Sequence, residues 1–179
     1  MPDRARLLPV RRVIADTPVT ATLTCMGERE VVPGAAAGGP ISHTIFRLAR
    51  IHRLIAGRLL REVGLHASQE LLLMRLWDGG PQRQTDLGAE LGTDSAATTR
   101  IVQRLEESGY VRRVPDPADR RATLVENTAQ GLALREHVER IWEHLEELTV
   151  GEMTPEQQQT ALDCLLRLEC NLHTGVTRE

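Results

Sequence analysis

The sequence predicts a mainly α protein with one small β-hairpin, an α+β fold, and three observations carry that reading. Hydrophobic residues make up 41% of the 179 but aromatics only 2%, so a core must be assembled from Leu, Val, Ile and Ala, which suits packed helices. Apolar residues recur at spacings of three and four in several separate stretches, the mark of amphipathic helices. One region breaks that texture, where the strand-like runs YVRRV and ATLV flank the turn PDPADRR at 115–121.

The length suits one domain with a real core and a tail. Formal charge is −3, so any surface for a polyanion must be local, with the acids placed elsewhere. All 22 basic residues are arginine, which suits bidentate contacts to phosphate and guanine, although a GC-rich coding bias is the plainer explanation and the uniformity carries little functional weight. Cys25, Cys164 and Cys170 are too few and scattered for a disulfide framework, and no CxxC or Cys/His cluster has metal-ligand spacing. Neither a metal nor a cofactor is expected, and the setting is a reducing cytoplasm. No apolar run approaches the roughly 18 residues of a membrane span, and the N-terminus lacks a signal-peptide layout.

Catalysis finds little support. The six histidines are dispersed, and G-x-S-x-G, phosphate-loop and HExxH motifs are absent. His137 and His144, seven apart on one helical face, offer a metal pair only if a second chain completes it; a solvated helix surface is the plainer reading.

In chain order, residues 1–40 read as a flexible N-terminal arm, rich in Pro, Gly, Thr, Ala and Val and ending in PGAAAGGP. Within it VTATLTC (19–25) alternates like a strand, Met26 offers an alternative start, and Arg4, Arg6, Arg11 and Arg12 could reach phosphates. From Ser42, a plausible N-cap, Ile45, Leu48, Ile51, Leu54, Ile55, Leu59 and Leu60 draw an apolar stripe that Gly64 ends. SQELLLMRLWDGG (68–80) is a second helix, capped at or near Ser68, ended by its Gly pair and apolar on more than one side, and GGPQRQ is a turn. TDLGAEL (85–91) makes a short helix broken by Gly92. Asp94 caps the next helix, where Ala97, Ile101 and Leu105 repeat every four residues and face the core.

The outer row of that helix is Ser95, Thr99 and Gln103, flanked by Ala96, Arg100 and Arg104. Small and hydrogen-bonding side chains at the N-terminal end of an exposed helix are what a major groove admits. By itself the row is equally an ordinary polar face; the hairpin tilts the balance. Its turn carries Arg120 and Arg121 at the tip, suited to a narrow minor groove, with Asp119 placed to orient one of them by a charge-assisted hydrogen bond. Helix, helix, hairpin is the order of a winged helix-turn-helix.

Beyond the hairpin, Thr128 caps a long helix to about residue 150, with Leu132, Leu134, Val138, Ile141, Leu145 and Leu148 as its apolar positions and a length of roughly 33 Å. Thr154 and Pro155 start a final helix bearing Leu162, Leu165, Leu166 and Leu168. The terminal helices carry more apolar surface than the small lobe covers, and a homodimer would bury it. The chain therefore divides into the arm, dimerisation helices at 41–66 and 128–174, and a DNA-binding lobe at 67–127.

The ordered set GLHASQELLLMRL, DLGAELGTDSAATTRIVQRLEESGYVRR, DPADRRA and the T-x-x-G of Thr128 and Gly131 resembles the MarR family of bacterial transcriptional regulators. The resemblance implies a two-fold dimer reading successive major grooves of a pseudo-palindromic operator, half-sites roughly 34 Å apart. It implies that Arg121, with Arg120 as second choice, enters the minor groove, and that Thr98, Thr99, Arg100, Arg104 and Arg112 meet phosphates. Relatives are mostly repressors released by small aromatic or anionic ligands or by thiol oxidation. An effector cleft is implied where the first, second and long helices meet the lobe, lined by His43, Arg47, His52, Glu70, Met74 and Trp77, for each of which a structural role competes.

Departures from the pattern matter. Asn127 stands where the family usually has Leu, which loosens the expected join between wing and long helix. No Cys lies in the first helix, where thiol-sensing members carry theirs, and Cys164 and Cys170 sit about 120° apart on their helix. Glu70, Arg100 and Arg113 fall near the places used by urate-responsive members, but the acid is Glu rather than Asp, and the Trp of their N-terminal extension is absent. The alternative to DNA binding is a winged helix that binds only protein.

Overall fold

The computed structural model describes residues 32–119 and 122–176. The readings made on the arm up to residue 31, and on Arg120 and Arg121, lie outside the described residues. The elements run α1 (Pro40–Glu62), α2 (Gln69–Gly79), β1 (Gln82–Arg83), α3 (Gln84–Glu90), α4 (Ser95–Glu107), β2 (Val111–Pro115), β3 (Thr123–Asn127), α5 (Ala129–Ala133), α6 (Arg135–Val150) and α7 (Pro155–Val176). The expected mostly helical fold is present, and its hairpin is part of a three-stranded antiparallel sheet in the order β1-β3-β2. Among the described residues no helix is long and apolar enough to cross a membrane.

Local signals start and stop most elements where their chemistry demands. Asp94 Oδ1 accepts the Ala97 N–H at 2.7 Å, and Thr128 Oγ1 accepts that of Gly131 at 3.1 Å, so both predicted N-caps are made. Thr154 and Gln157 exchange reciprocal bonds at the start of α7, a capping box with Pro155 at the first helical position. Two starts differ from expectation. Helix α1 begins at Pro40 with Gly39 as N-cap rather than at Ser42, because a proline at the first position is already set at a helical φ. Ser68 adopts a left-handed φ of 78° and makes no side-chain cap; Gln69 Oε1 takes the His66 N–H instead, at 2.7 Å.

One core joins the lobe to the long helix, gathering Leu60, Val63 and Leu65, then Leu72, Leu73 and Leu76 of α2, Leu87, Val102 and Leu105, Val111 and Val125, and Leu134, Val138 and Ile141. The inner row of α4 is Thr98, Val102 and Leu105, one residue round from the expected Ala97, Ile101 and Leu105; Ala97 and Ile101 are half-buried. Leu132 and Leu148, expected on the apolar stripe of the long helix, are exposed, and that helix is divided at Leu134. Leu134 keeps right-handed helical angles, so α5 and α6 form a nearly continuous rod.

The rod is tied to the lobe at the Tyr110 carbonyl. That oxygen accepts the Thr128 N–H at 3.0 Å, while the Thr128 hydroxyl donates to Gly109 O at 2.6 Å. Trp77 Nε1 donates to Gly131 O at 3.2 Å, bringing α2 to the same point. The join expected to loosen at Asn127 is therefore closed by its neighbours; Asn127 itself pairs with Val111 in the sheet and leaves its buried Oδ1 without a partner. At Gly131 an added Cβ would run into the Tyr110 carbonyl oxygen. Gly131→Ala is accordingly expected to lower stability by roughly 1–3 kcal/mol, as overpacking does, and urea unfolding followed by circular dichroism measures it.

Candidate nucleic-acid interface

Helices α3 and α4 meet across a tight turn in which Gly92 takes a φ of 61° and Thr93 N–H donates to Gly88 O at 3.0 Å. Close approach is enforced by Gly88, where a Cβ would lie 2.7 Å from Thr98 Oγ1. With Thr98, Val102 and Leu105 turned inwards, the opposite side of α4 presents Ser95, Ala96, Thr99, Arg100, Gln103 and Arg104 to solvent. Six of the predicted contact residues thus share one open face. Its first turn carries only small side chains, while the Asp94 carboxylate caps the helix N-terminus and offsets its partial positive charge.

Thr98 does not belong to that face. It is 1% exposed, its hydroxyl donates to Asp94 O at 2.9 Å and shares a bond with Thr93 Oγ1, and a group so enclosed cannot meet a phosphate without unfolding the turn. Thr99 is exposed but its hydroxyl is engaged, donating to Ser95 O at 2.7 Å and accepting from Gln84 Nε2 at 2.8 Å. Gln103 Nε2 reaches Glu107 at 3.3 Å along the helix.

Arginines divide by whether an acid holds them. Among the described residues no ion pair engages Arg100 or Arg104. Arg112 Nε donates to Glu126 Oε1 at 2.6 Å directly across the β2–β3 ladder, so a phosphate contact there competes with an exposed ion pair, a weak rival in water. Arg113 pairs with Glu106 at the end of α4, which turns it away from the urate-type role.

The wing root contains a pair the sequence reading missed. Arg83, placed in a turn by the sequence, forms β1 with Gln82 and donates from Nε and Nη2 to Asp116 Oδ2 at 3.1 and 2.8 Å. Asp119 Oδ2 lies 3.8 Å from the same guanidinium. The Arg83 hydrogen bonds and charge hold the Asp116 carboxyl below the usual carboxylate range, with the Ala118 N–H adding to them, and Asp116 raises Arg83 in return. No local signal announces a partner 33 residues away.

Of the six residues named for an effector, Met74 and Trp77 line a common hollow and the other four do not line it. His43, Arg47 and His52 lie along α1, and Glu70, Met74 and Trp77 along α2. Met74 and Trp77 line a hollow of about 160 Å³ with Asp78, Arg135, Val138, Glu139 and Trp142; the other four are absent from its wall. His43 Nδ1 and Glu70 Oε2 are buried without a partner. Burial pushes the Glu70 carboxyl up, against the backbone N–H groups of Glu70 and Ser68 that favour its charged form.

A capped helix with an open arginine-bearing face, seated on a second helix and followed by a three-stranded wing, defines a winged helix-turn-helix DNA-binding protein of the transcription-regulator class. Residues 65–123 match the family model described as MarR family. It is 29% identical over 129 residues to the uncharacterized HTH-type transcriptional regulator YdgJ of Bacillus subtilis, covering 72% of this chain and 79% of that one. To the HTH-type transcriptional repressor NicR of Pseudomonas putida it is 28% identical over 128 residues, covering 72% and 81%. Among solved structures, Bordetella bronchiseptica BpsR, whose DNA binding is regulated by 6-hydroxynicotinic acid, superposes with a TM-score of 0.67 at 26% identity, covering 74% of this chain and 95% of that one.

The upward shift at Glu70 fixes the sign of a pH effect. The folded state holds this proton more tightly than the unfolded chain, so its stabilising contribution is complete below the ordinary glutamate value and is lost as pH rises through the raised one. Glu70→Gln is expected to raise the thermal midpoint near neutral pH, with the gain vanishing at about pH 3.5, below the unfolded value; melts at the two pH values give the comparison.

Proposed function

We propose that the protein is a ligand-responsive transcriptional repressor of the cytoplasm that binds a pseudo-palindromic operator as a homodimer, α4 in the major groove and the arginine-tipped wing in the minor groove. The observation that carries this reading is the open face of α4, where six polar, small or cationic side chains face solvent. Ser95 and Ala96 let the helix approach the base edges, and Gln103 reaches them with an amide suited to adenine. Thr99, Arg100, Arg104 and Arg112 serve the phosphates that position it; Thr98 has no part in this. Arg121, or Arg120, enters the minor groove with Asp119 beside it.

Residues 67–127 act as the DNA-binding lobe, residues 41–66 and 128–174 as dimerisation helices, and 1–40 as an arm. The dimer reading is supported by apolar side chains that this chain alone leaves in water: Phe46 is 71% exposed and Leu172 65%, and Leu162, Leu165 and Leu166 form an open row on α7. No described residue of α7 is buried within the chain. Burying that row against a second copy is worth about 25 cal/mol per Å² of apolar surface, and it sets two copies of α4 in the fixed relation a palindrome requires. The repressor named NicR and the ligand-regulated BpsR support control by a small aromatic or anionic effector. His43, Arg47, His52, Glu70, Met74 and Trp77 remain its proposed surroundings, with Met74 and Trp77 already at a hollow.

Two measurements test the reading. In titrations of DNA from the protein's own promoter at fixed salt, Arg121→Ala is expected to weaken binding by roughly 1–3 kcal/mol, and wild-type affinity is expected to fall steeply as salt rises. Unchanged binding by Arg121→Ala removes the wing from the interface, and absence of salt-sensitive binding favours a protein-binding winged helix instead. In sedimentation equilibrium Leu165→Glu is expected to convert a dimer into a folded monomer that no longer binds DNA tightly; a wild-type monomer would exclude the arrangement.

A further inference from the structure

Arg83 occupies the N-cap position of α3, yet makes no cap. Ser, Thr, Asp or Asn there would satisfy a free backbone N–H of the helix, so the arginine forgoes local stability. Its guanidinium instead crosses to the wing root, where both donors converge on one oxygen of Asp116, at 3.1 and 2.8 Å. The other oxygen of Asp116 accepts the Ala118 N–H at 2.8 Å, and the Asp116 N–H donates to Ala122 O at 3.0 Å. One carboxylate therefore joins β1 to the turn, and at 7% exposure it is nearly closed to water. The next residue faces a different task. Gln84 donates its amide to Thr99 Oγ1 at 2.8 Å, and Thr99 lies on the outward face of α4.

Without these contacts the wing would rest mainly on the β2–β3 ladder, since β1 supplies only two residues, Gln82 opposite Val125 and Arg83 opposite Leu124. A hairpin held that way swings at its root, and its tip moves furthest. Charge-assisted bonds to both oxygens of an enclosed carboxylate resist that swing better than neutral ones. The ion pair persists through the neutral range because Arg83 keeps Asp116 ionised.

We propose that Arg83 and Gln84 form a two-residue coupler, Arg83 positioning the wing through Asp116 and Gln84 positioning α4 through Thr99, so that the two DNA-contacting parts keep a set distance. The coupler rests on the DNA-binding reading above. It makes Arg83, Gln84 and Asp116 positioning residues, with affinity depending on them through the groups they hold.

The test uses the full-length protein and a duplex that the wild type selects from a random-sequence pool. Dimethyl sulfate reports the major groove, hydroxyl radicals the minor groove, and amide exchange of the free protein reports the wing. Arg83→Gln and Asp116→Asn are each expected to speed exchange at Ala118 and Ala122, to lose the flanking minor-groove protection and to keep the major-groove pattern, with binding roughly tenfold weaker. The double variant is expected to be no weaker than either single one, and Arg83→Lys to fall between. Gln84→Ala is expected to weaken the major-groove pattern while wing exchange stays slow. Retained flanking protection with slow exchange in Arg83→Gln overturns the proposal, as does a loss spread evenly over both grooves with faster exchange throughout α2 and α4. If the wild type selects no duplex, the DNA-binding reading falls, and exchange at Ala118 and Ala122 still decides whether Arg83 holds the wing.

Discussion

The rod meets the lobe at the hydrogen-bonded knot of Tyr110, Thr128 and Gly131, beside the core that Val138 and Ile141 share with the lobe. The Tyr110 carbonyl accepts the Thr128 N–H, Thr128 caps the rod, and Trp77 brings α2 to the carbonyl of Gly131. The end of the sheet, the start of α5 and the flank of α2 thus share a few atoms. No side chain fits between Gly131 and Tyr110, so the angle between lobe and rod is set by backbone contact.

Charge is arranged locally to suit a polyanion on an acidic chain. Acids near the wing are matched to arginines: Glu126 to Arg112, Glu106 to Arg113 and Asp116 to Arg83. Further ion pairs, such as Arg75 with Glu90 and Arg135 with Glu139, dispose of charge away from the α4 face. Arg100 and Arg104 remain beside Ser95, Ala96 and Gln103, without an ion pair among the described residues. Local field, rather than the formal charge of −3, is what an approaching phosphate meets within a Debye length of about 10 Å.

The hollow beside Met74 and Trp77 sits close to the same knot, since Trp77 both lines it and bonds Gly131 O. Arg135 borders it between Asp78 at 3.6 Å and Glu139 at 2.9 Å. The residues His43, Arg47 and His52 lie on α1, and α1 and α7 leave apolar side chains open to solvent. Within one chain, then, Met74 and Trp77 are the named effector residues that share this hollow.

What the sequence determined by itself is what local chemistry controls. The 3.6-residue periodicity, the caps at Asp94, Thr128 and Thr154, and the stops at Gly64, Gly80 and Gly92 act within a turn or two of backbone, so element order and the outer row of α4 were legible in advance. Tertiary structure decided the rest. Thr98 reads as polar but is buried, because its hydroxyl is satisfied by the carbonyl four residues back and its burial costs little. β1, the bond from Gln84 to Thr99 and the Arg83–Asp116 pair join positions 15 to 43 residues apart. Their partners are chosen by packing of the chain upon itself, and no spacing along it records that choice.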